Sequence, residues 1–273
     1  MPELPEVETV RRSLLPRLEG RSIASVEVRA PALREPLDQD ALHGLAGHQV
    51  LGIRRRAKYL LIDLDTPRTL VVHLGMSGRF TLVAGDAPRA AHEHVAFHLD
   101  DGRRLRFVDP RRFGQVLVLP TDRLEDDRHF AHLGLEPLGE AFDGAALEAR
   151  AAGRRGPMKA FLMDAKVVVG VGNIYVSEAL WRARVHPRRS VARTASATWV
   201  RLADAVRSVL ADAVAEGGTT LNDFTDGEGN AGYFQVSLRA YGREDEPCAR
   251  CETPIRRIVQ SNRSTFYCPR CQR

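Results

Sequence analysis

Four cysteines, all beyond residue 247, place the tightest constraint on how this chain can fold. Cys248-x2-Cys251 and Cys268-x2-Cys271 are separated by sixteen residues. Two matched pairs at that spacing supply four soft thiolates that can close a tetrahedron, which is what structural zinc requires. A redox pair is the competing reading, and two matched units in one terminal segment favour zinc over it. So short a segment cannot bury a core able to stand alone, so the metal is expected to contribute folding free energy outright. From Tyr241 onward there are seven arginines against four acids, with Arg256, Arg257 and Arg263 between the cysteine pairs beside Thr265, Phe266 and Tyr267. A β-hairpin with an arginine at its tip suits a phosphate backbone or a minor groove. With every cysteine in this segment, disulfides cannot staple the body of the chain.

The 273 residues leave room for two or three domains, and 44% hydrophobic with 27% charged residues describes a soluble globular chain. A net charge of +5 and a pI near 9.3 suit a polyanionic partner if the charge clusters. No run approaches the ~18 apolar residues of a membrane span, and the acidic amino terminus has the wrong sign for a signal peptide. The expectation is a cytoplasmic protein with no membrane partner.

Leu4, Val7, Val10, Leu14, Leu15 and Leu18 recur at helical spacing and predict an amphipathic helix near residues 5 to 15, ended by Pro16. Short Val-, Ile- and Leu-rich runs follow at 22–28, 49–54, 59–65, 69–75, 79–84, 94–99, 103–108 and 115–119. Many short strands at close spacing predict a β-sandwich or barrel. Asp100-Asp101-Gly102 reads as the turn of a hairpin between two of them. Arg104 and Arg106 alternate with Leu105 and Phe107, either as a solvated face or as a phosphate track. The segment 131–139, AHLGLEPLG, reads as an interdomain linker, and the pattern beyond it is helical: about 143–152, Ala160 to Asp164, and a long helix near 196–215. Gly217-Gly218-Thr219-Thr220 stops that last helix, and 217–232 reads as a mobile surface loop.

The amino terminus carries a different kind of signal. Once Met1 is removed, Pro2 presents a secondary amine, and an α-amino group titrates near ~8, so part of it is unprotonated at neutral pH. Such an amine attacking an aldehyde-like carbon gives an iminium cation directly, an electron sink made by covalent catalysis. Glu3 and Glu6 put carboxylates within reach for proton transfer, although acids in a first helical turn also suit the helix dipole without any chemistry. Arg54-Arg55-Arg56-Ala57-Lys58 alone reads as a solvated turn. Asp109-Pro110-Arg111-Arg112-Phe113-Gly114 reads equally as a stacked structural arginine or as a guanidinium and ring aimed at nucleic acid. In His73-Leu74-Gly75-Met76-Ser77-Gly78 the glycines make a tight turn able to push Met76 outward. GVGNIY at 170–175 is not a GxGxxG nucleotide loop, but a glycine turn opening a helix exposes N–H groups that bind phosphate.

The string PELPEVETVRR at residues 2–12 closely resembles the amino terminus of the formamidopyrimidine-DNA glycosylase family, and the wedge, GVGNIY and zinc motifs follow in that family's order. The resemblance implies a multidomain α+β fold: an N-terminal β-sandwich with an amphipathic helix (1–134), a helix–two-turn–helix domain (135–240) with a lesion-capping loop near 217–232, and a four-cysteine zinc finger with a β-hairpin (241–273). It implies a bifunctional glycosylase and lyase acting on oxidised purines, with Pro2 as nucleophile, Glu3 as proton carrier and Glu6 and Lys58 in support. His73, Met76, Arg111, Phe113, Lys159, Asn173 and Arg263 then contact DNA, with Met76, Arg111 and Phe113 filling the gap left by an everted base. Lys159 would face the lesion nucleotide, and Glu178 would have a supporting role. The implied cofactor is one structural Zn2+ without Mg2+ or an organic group. The implied partner is double-stranded DNA with an oxidised base, bound by a monomer that associates with the nucleoid. Asn222 departs from the lysine of many relatives. An endonuclease VIII-like enzyme for oxidised pyrimidines and a non-catalytic zinc-dependent DNA-binding protein are the alternatives. Leu4-Pro5, and Met76 set apart from Arg111 and Phe113, favour the purine branch.

Overall fold

The computed structural model describes residues 2–219 and 237–273, so Asn222 and most of the expected capping loop lie outside the described residues. The chain forms two compact units, one from residues 1–131 with 216–233 and one from 132–215 with 234–273.

The first unit is a sandwich of two antiparallel sheets. One has the order β2-β3-β4-β8, from Val50–Arg56, Tyr59–Leu64, Arg68–His73 and Gln115–Pro120. The other runs β1-β6-β7-β5, from Ile23–Val28, Glu93–Leu99, Arg103–Val108 and Arg79–Ala84. Every strand run anticipated from the sequence is present. Period-two alternation sends Leu60, Ile62 and Leu64 of β3 into the same cluster as Val95, Phe97 and Leu99 of β6. The Asp100-Asp101-Gly102 turn joins β6 to β7, with Gly102 at φ +80°. The short helix α2, Gln39–His43, is capped by Asp38, whose carboxylate accepts from the Ala41 N–H.

Helix α1 spans Leu4–Leu18 and lays Val7, Val10, Leu14 and Leu18 into that core. Pro16 does not end it. Proline forfeits one backbone bond and crowds the preceding turn, at ~3 kcal/mol in a helix interior. Here it sits in the last turn, and burying Leu18 completely is worth roughly 1.5–3 kcal/mol in return.

Neither expectation for the β7 arginines holds. Arg104 is buried, with Arg106 half-buried beside it, and both approach Glu93, at 3.7 and 3.8 Å; Arg29 binds the same carboxylate at 2.5 Å. Glu93 is 1% exposed, so three guanidiniums replace its water.

The second unit is helical. Helices α3 (Gly144–Ala151) and α5 (Asn173–Ala183) pack on α6 (Ser196–Ala215), and α4 (Met158–Leu162) lies against α5. Trp199, Leu202, Ala203, Val206, Val209, Leu210, Ala213 and Val214 of α6 are all buried, as their spacing predicts. The terminal hairpin pairs β9 (Arg256–Gln260) with β10 (Arg263–Tyr267). Its tip, Ser261-Asn262, has φ of 48° and 58°, the doubly left-handed turn that matches the twist of a hairpin. No helix among the described residues is long and apolar enough to cross a membrane.

Replacing Glu93 by Ala should leave three buried or half-buried arginines facing one another. The expected loss is about 3 kcal/mol of unfolding free energy, read as a lower urea midpoint. An unchanged midpoint would show that the cluster is solvated rather than structural.

Candidate active site and metal centre

Pro2 lies half-buried immediately before α1, and Glu3, the residue that caps the helix, is only 3% exposed. Glu6 closes the reverse half of a capping box, its Oε2 accepting from the Glu3 N–H at 2.8 Å. Its other oxygen, Oε1, accepts from the Thr219 N–H at 2.8 Å. Gly218, at φ +81°, permits this: a Cβ there would stand 3.1 Å from Glu6 Oε1. One carboxylate thus fixes both the residue after Pro2 and the chain that enters the segment 220–236. Glu8 is also buried, paired with Arg11 at 2.8 Å and with Arg55 at 3.2 Å. Burial opposes its ionisation, but the arginines prevail and hold its carboxyl below the usual range.

Arg55 carries this order on to the β2–β3 turn, where its Nη1 donates to the Ala57 carbonyl at 2.9 Å. Ala57 has φ of 53°, and the two-residue turn it forms with Lys58 presents that lysine at the end of the hairpin. Tyr59, next along, packs at a tilt against His73 with ring centroids 4.7 Å apart. His73 Nδ1 accepts the Gly75 N–H at 3.0 Å, which leaves Nε2 as the protonated nitrogen of a neutral ring. Burial, reinforced by the nearby Lys58 and Arg34 charges, holds its pKa down to about 4.

Two loops that carry Met76 and Phe113 are bound together by Asp109, which is wholly buried. Its Oδ1 accepts from the Ser77 hydroxyl at 2.6 Å and the Arg111 N–H at 3.2 Å; its Oδ2 accepts from the Gly114 N–H at 2.8 Å. Gly75 lies at φ +65° with no room for a side chain, since a Cβ would meet the Gly114 nitrogen at 2.5 Å. The result holds Met76 and Phe113 outward, 41% and 45% exposed, with the Arg111 guanidinium 4.9 Å from the Phe113 ring centre. Large apolar groups held in water by a rigid frame are the form a base-stack wedge takes.

In the second unit the ammonium of Lys159 is buried. It donates to Asn173 Oδ1 at 2.6 Å, Thr265 Oγ1 at 2.6 Å and the Ser264 carbonyl at 3.2 Å. Asn173 Nδ2 donates to the same carbonyl at 3.0 Å, so the first residue of α5 is tied to the hairpin beside exposed Arg263. Glu178 lies deep in α5 and accepts the N–H groups of Arg239, Ala240 and Tyr241 at 2.9, 2.9 and 2.7 Å. Burial raises its pKa despite those three donors.

The four cysteine sulfurs all lie within 4.8 Å of one another. Cys251 is held down to about 6 by hydrogen bonds at Thr253, whereas burial and the neighbouring sulfurs push Cys271 up to about 12. Four thiolates cannot share so small a volume without a cation, and a soft dication in tetrahedral geometry fits this donor set.

Sequence reasoning named most of these residues but missed the roles of Asp109, Glu8 and Arg55. Asp109 had a signal, since an aspartate two residues before a turn is a common backbone acceptor. Glu8 and Arg55 stand far apart in the chain and had none.

A sandwich that holds Met76 and Phe113 exposed, a helical unit and a four-cysteine hairpin suited to structural zinc together define a modular metal-binding protein. Comparison with known proteins narrows this. Residues 1–116 match the formamidopyrimidine-DNA glycosylase N-terminal domain, 133–225 its H2TH domain, and 245–273 the zinc finger found in FPG and IleRS. Formamidopyrimidine-DNA glycosylases of Halorhodospira halophila and Syntrophotalea carbinolica are 52% and 50% identical, each aligned over 100% of both chains. The MutM (Fpg) protein of Thermus thermophilus superposes with a TM-score of 0.88 at 40% identity, over 99% of this chain and 98% of that one. A Lactococcus lactis FPG mutant solved with Fapy-dG DNA gives 0.92 at 33% identity over the full length of both. The chain belongs to the formamidopyrimidine-DNA glycosylase family.

The His73 pKa has a signed consequence. The native ring stays neutral down to about pH 4 while the unfolded chain takes up a proton near ~6.5. The unfolded state therefore binds more protons below ~6.5, and stability falls as pH drops from there toward 4. His73→Gln should flatten that part of the profile and leave the region above pH 7 parallel to wild type. Urea midpoints at pH 5 and pH 7.5 for both proteins check this.

Proposed function

We propose that the chain is a base-excision repair enzyme, a bifunctional DNA glycosylase and AP lyase for oxidised purines such as 8-oxoguanine and formamidopyrimidines in double-stranded DNA. The observation that carries the reading is Pro2 placed directly before a helix whose capping residue is the buried Glu3, in a chain of this family. The solved Lactococcus relatives bound to Fapy-dG DNA support the substrate class.

The target base leaves the stack, which costs less for a damaged base than for a sound one. The Pro2 amine attacks C1′ as the bond from C1′ to the base breaks, and the base departs with a proton. Glu3 delivers a proton to the ring oxygen as the sugar opens, leaving an iminium between Pro2 and C1′. The iminium acidifies C2′; loss of that proton expels the 3′ phosphate, and a second elimination expels the 5′ phosphate. Water then hydrolyses the iminium and regenerates the amine.

Met76, Arg111 and Phe113 fill the space the base vacates. Lys58 and His73 in the first unit, and Asn173 and Arg263 in the second, bind phosphates, with Lys159 ordering Asn173. Glu6 and Glu178 hold backbone and take no part in bond making. The working division is 1–134, 135–240 and 241–273. Zinc holds the terminal hairpin; Mg2+ and organic cofactors are not required, because each step uses an amine, a carboxylate and water. The enzyme acts as a monomer in the cytoplasm on nucleoid DNA.

Borohydride added during turnover should reduce the iminium and join protein to DNA through Pro2. With Met1 retained the Pro2 nitrogen is an amide, so that form should bind lesion DNA yet give no adduct. A cross-link mapped to Lys58 or Lys159 would overturn the mechanism. Matched duplexes carrying an oxidised purine or an oxidised pyrimidine test the substrate class, and faster cleavage of the pyrimidine would reverse the assignment.

Arg263→Ala should weaken binding to lesion and undamaged duplex alike and lower the salt slope by about one unit, as for a single lost phosphate contact. Phe113→Ala should instead weaken the lesion complex selectively. Fluorescence anisotropy across a salt series distinguishes the two, and an unaltered slope for the arginine variant would remove Arg263 from the phosphate contacts.

A further inference from the structure

The metal centre has a neighbour whose chemistry its position does not require for packing alone. Trp181, near the end of α5, is buried, and its indole N–H points at a cysteine sulfur: Nε1 lies 3.4 Å from Cys248 Sγ. An indole nitrogen only donates, and a sulfur that has lost its proton to a metal is a better acceptor than a thiol. Trp181 belongs to the same apolar cluster as Cys248, Cys268, Ile255 and Phe266, which excludes water from that bond.

Arg250, inside the Cys248-x2-Cys251 loop, holds the ring in place. Its guanidinium lies 3.8 Å from the indole centre. Its Nη1 donates to the Trp181 carbonyl at 2.6 Å and its Nη2 to the Arg182 carbonyl at 3.1 Å. These are carbonyls of the last turn of α5, where the partial negative charge of the helix end favours a cation. A second tether leaves the other knuckle, where Gln272 accepts from the Cys268 N–H at 2.8 Å and donates to the Val185 carbonyl at 2.9 Å.

We propose that Trp181 is a positioning residue of the metal centre, its N–H bonded to the metal-bound sulfur of Cys248 and its ring clamped by Arg250. The bond withdraws charge from that sulfur and fixes its position, and so slows release of the metal. Partners of this kind change metal affinity by about 10–100-fold. The inference rests on the structural zinc of the cysteine cluster and not on the reaction assigned to Pro2.

The test uses the full-length zinc protein and reads the metal. Trp181→Phe keeps an aromatic ring and removes the N–H. Zinc transfer to a chromophoric chelator should become at least 10-fold faster than in wild type. In the cobalt-substituted protein the thiolate-to-metal charge-transfer bands should move to longer wavelength, because the Cys248 sulfur gives up its electron more readily once the hydrogen bond is gone. Arg250→Gln, which leaves the indole in place but unclamped, should shift both readings in the same direction and by less. If the phenylalanine variant does not fold, benzothienylalanine inserted at position 181 keeps the bicyclic shape and replaces N–H by sulfur; the same two changes are then expected of it. Zinc transfer at the wild-type rate with unmoved cobalt bands, in whichever of these two proteins folds, would overturn the proposal and leave Trp181 as core filling.

Discussion

A carboxylate withdrawn from water must recover its hydrogen bonds from the protein, and this one requirement organises most of the molecule. Asp109 recovers them from Ser77, Arg111 and Gly114 and so joins the loops that carry Met76 and Phe113. Glu6 takes the N–H groups of Glu3 and Thr219, and Glu178 those of three consecutive residues from Arg239. Each leaves a loop or helix start held by charge-assisted bonds instead of apolar burial. Such bonds are directional, so they fix position to a degree that hydrophobic contact does not. They also leave side chains such as Met76 and Phe113 free to stay exposed, because those side chains are not needed to hold their own loops.

The terminal segment meets the same need for order by another route. It has a small apolar cluster, and four sulfurs within 4.8 Å of one another repel when ionised. A cation turns that repulsion into the largest attraction in the segment. The hairpin then becomes a rigid arm: its Ser264 carbonyl meets Asn173 and Lys159, and its tip sets Arg263 at the surface. Lys159 shows how a buried charge can order a surface from beneath, by holding Asn173 and the hairpin.

The family assignment and the local chemistry support one another at the amino terminus. Family membership would leave the nucleophile unspecified among several amines. The proposed nucleophile, Pro2, stands next to the buried Glu3 at the helix start, whereas Lys58 stands on a hairpin turn. A neutral His73 adds a hydrogen-bond donor to the first unit without adding a titrating charge in the physiological range.

The strands, the long helix α6, the hairpin turn at Gly102 and the cysteine tetrad were all legible in the sequence. Each depends on residue spacing within one element, or on a ligand set repeated at short range. Most candidate site residues were legible for the same reason, being embedded in contiguous motifs. What the sequence could not give was pairing between distant positions. Pro16 inside α1 was misjudged because burial of Leu18 is a tertiary gain that local propensity does not contain. The β7 arginines were read as surface because Glu93, Arg29 and Arg104 converge only when β1 and β7 pair on either side of β6. Lys159 was singled out only by the family resemblance, and the three acceptors around its buried ammonium come together only in the fold. The sequence by itself determined the elements, the metal ligands and the family. Tertiary structure decided which charges lie inside, because desolvation and its compensation depend on neighbours that chain order does not reveal.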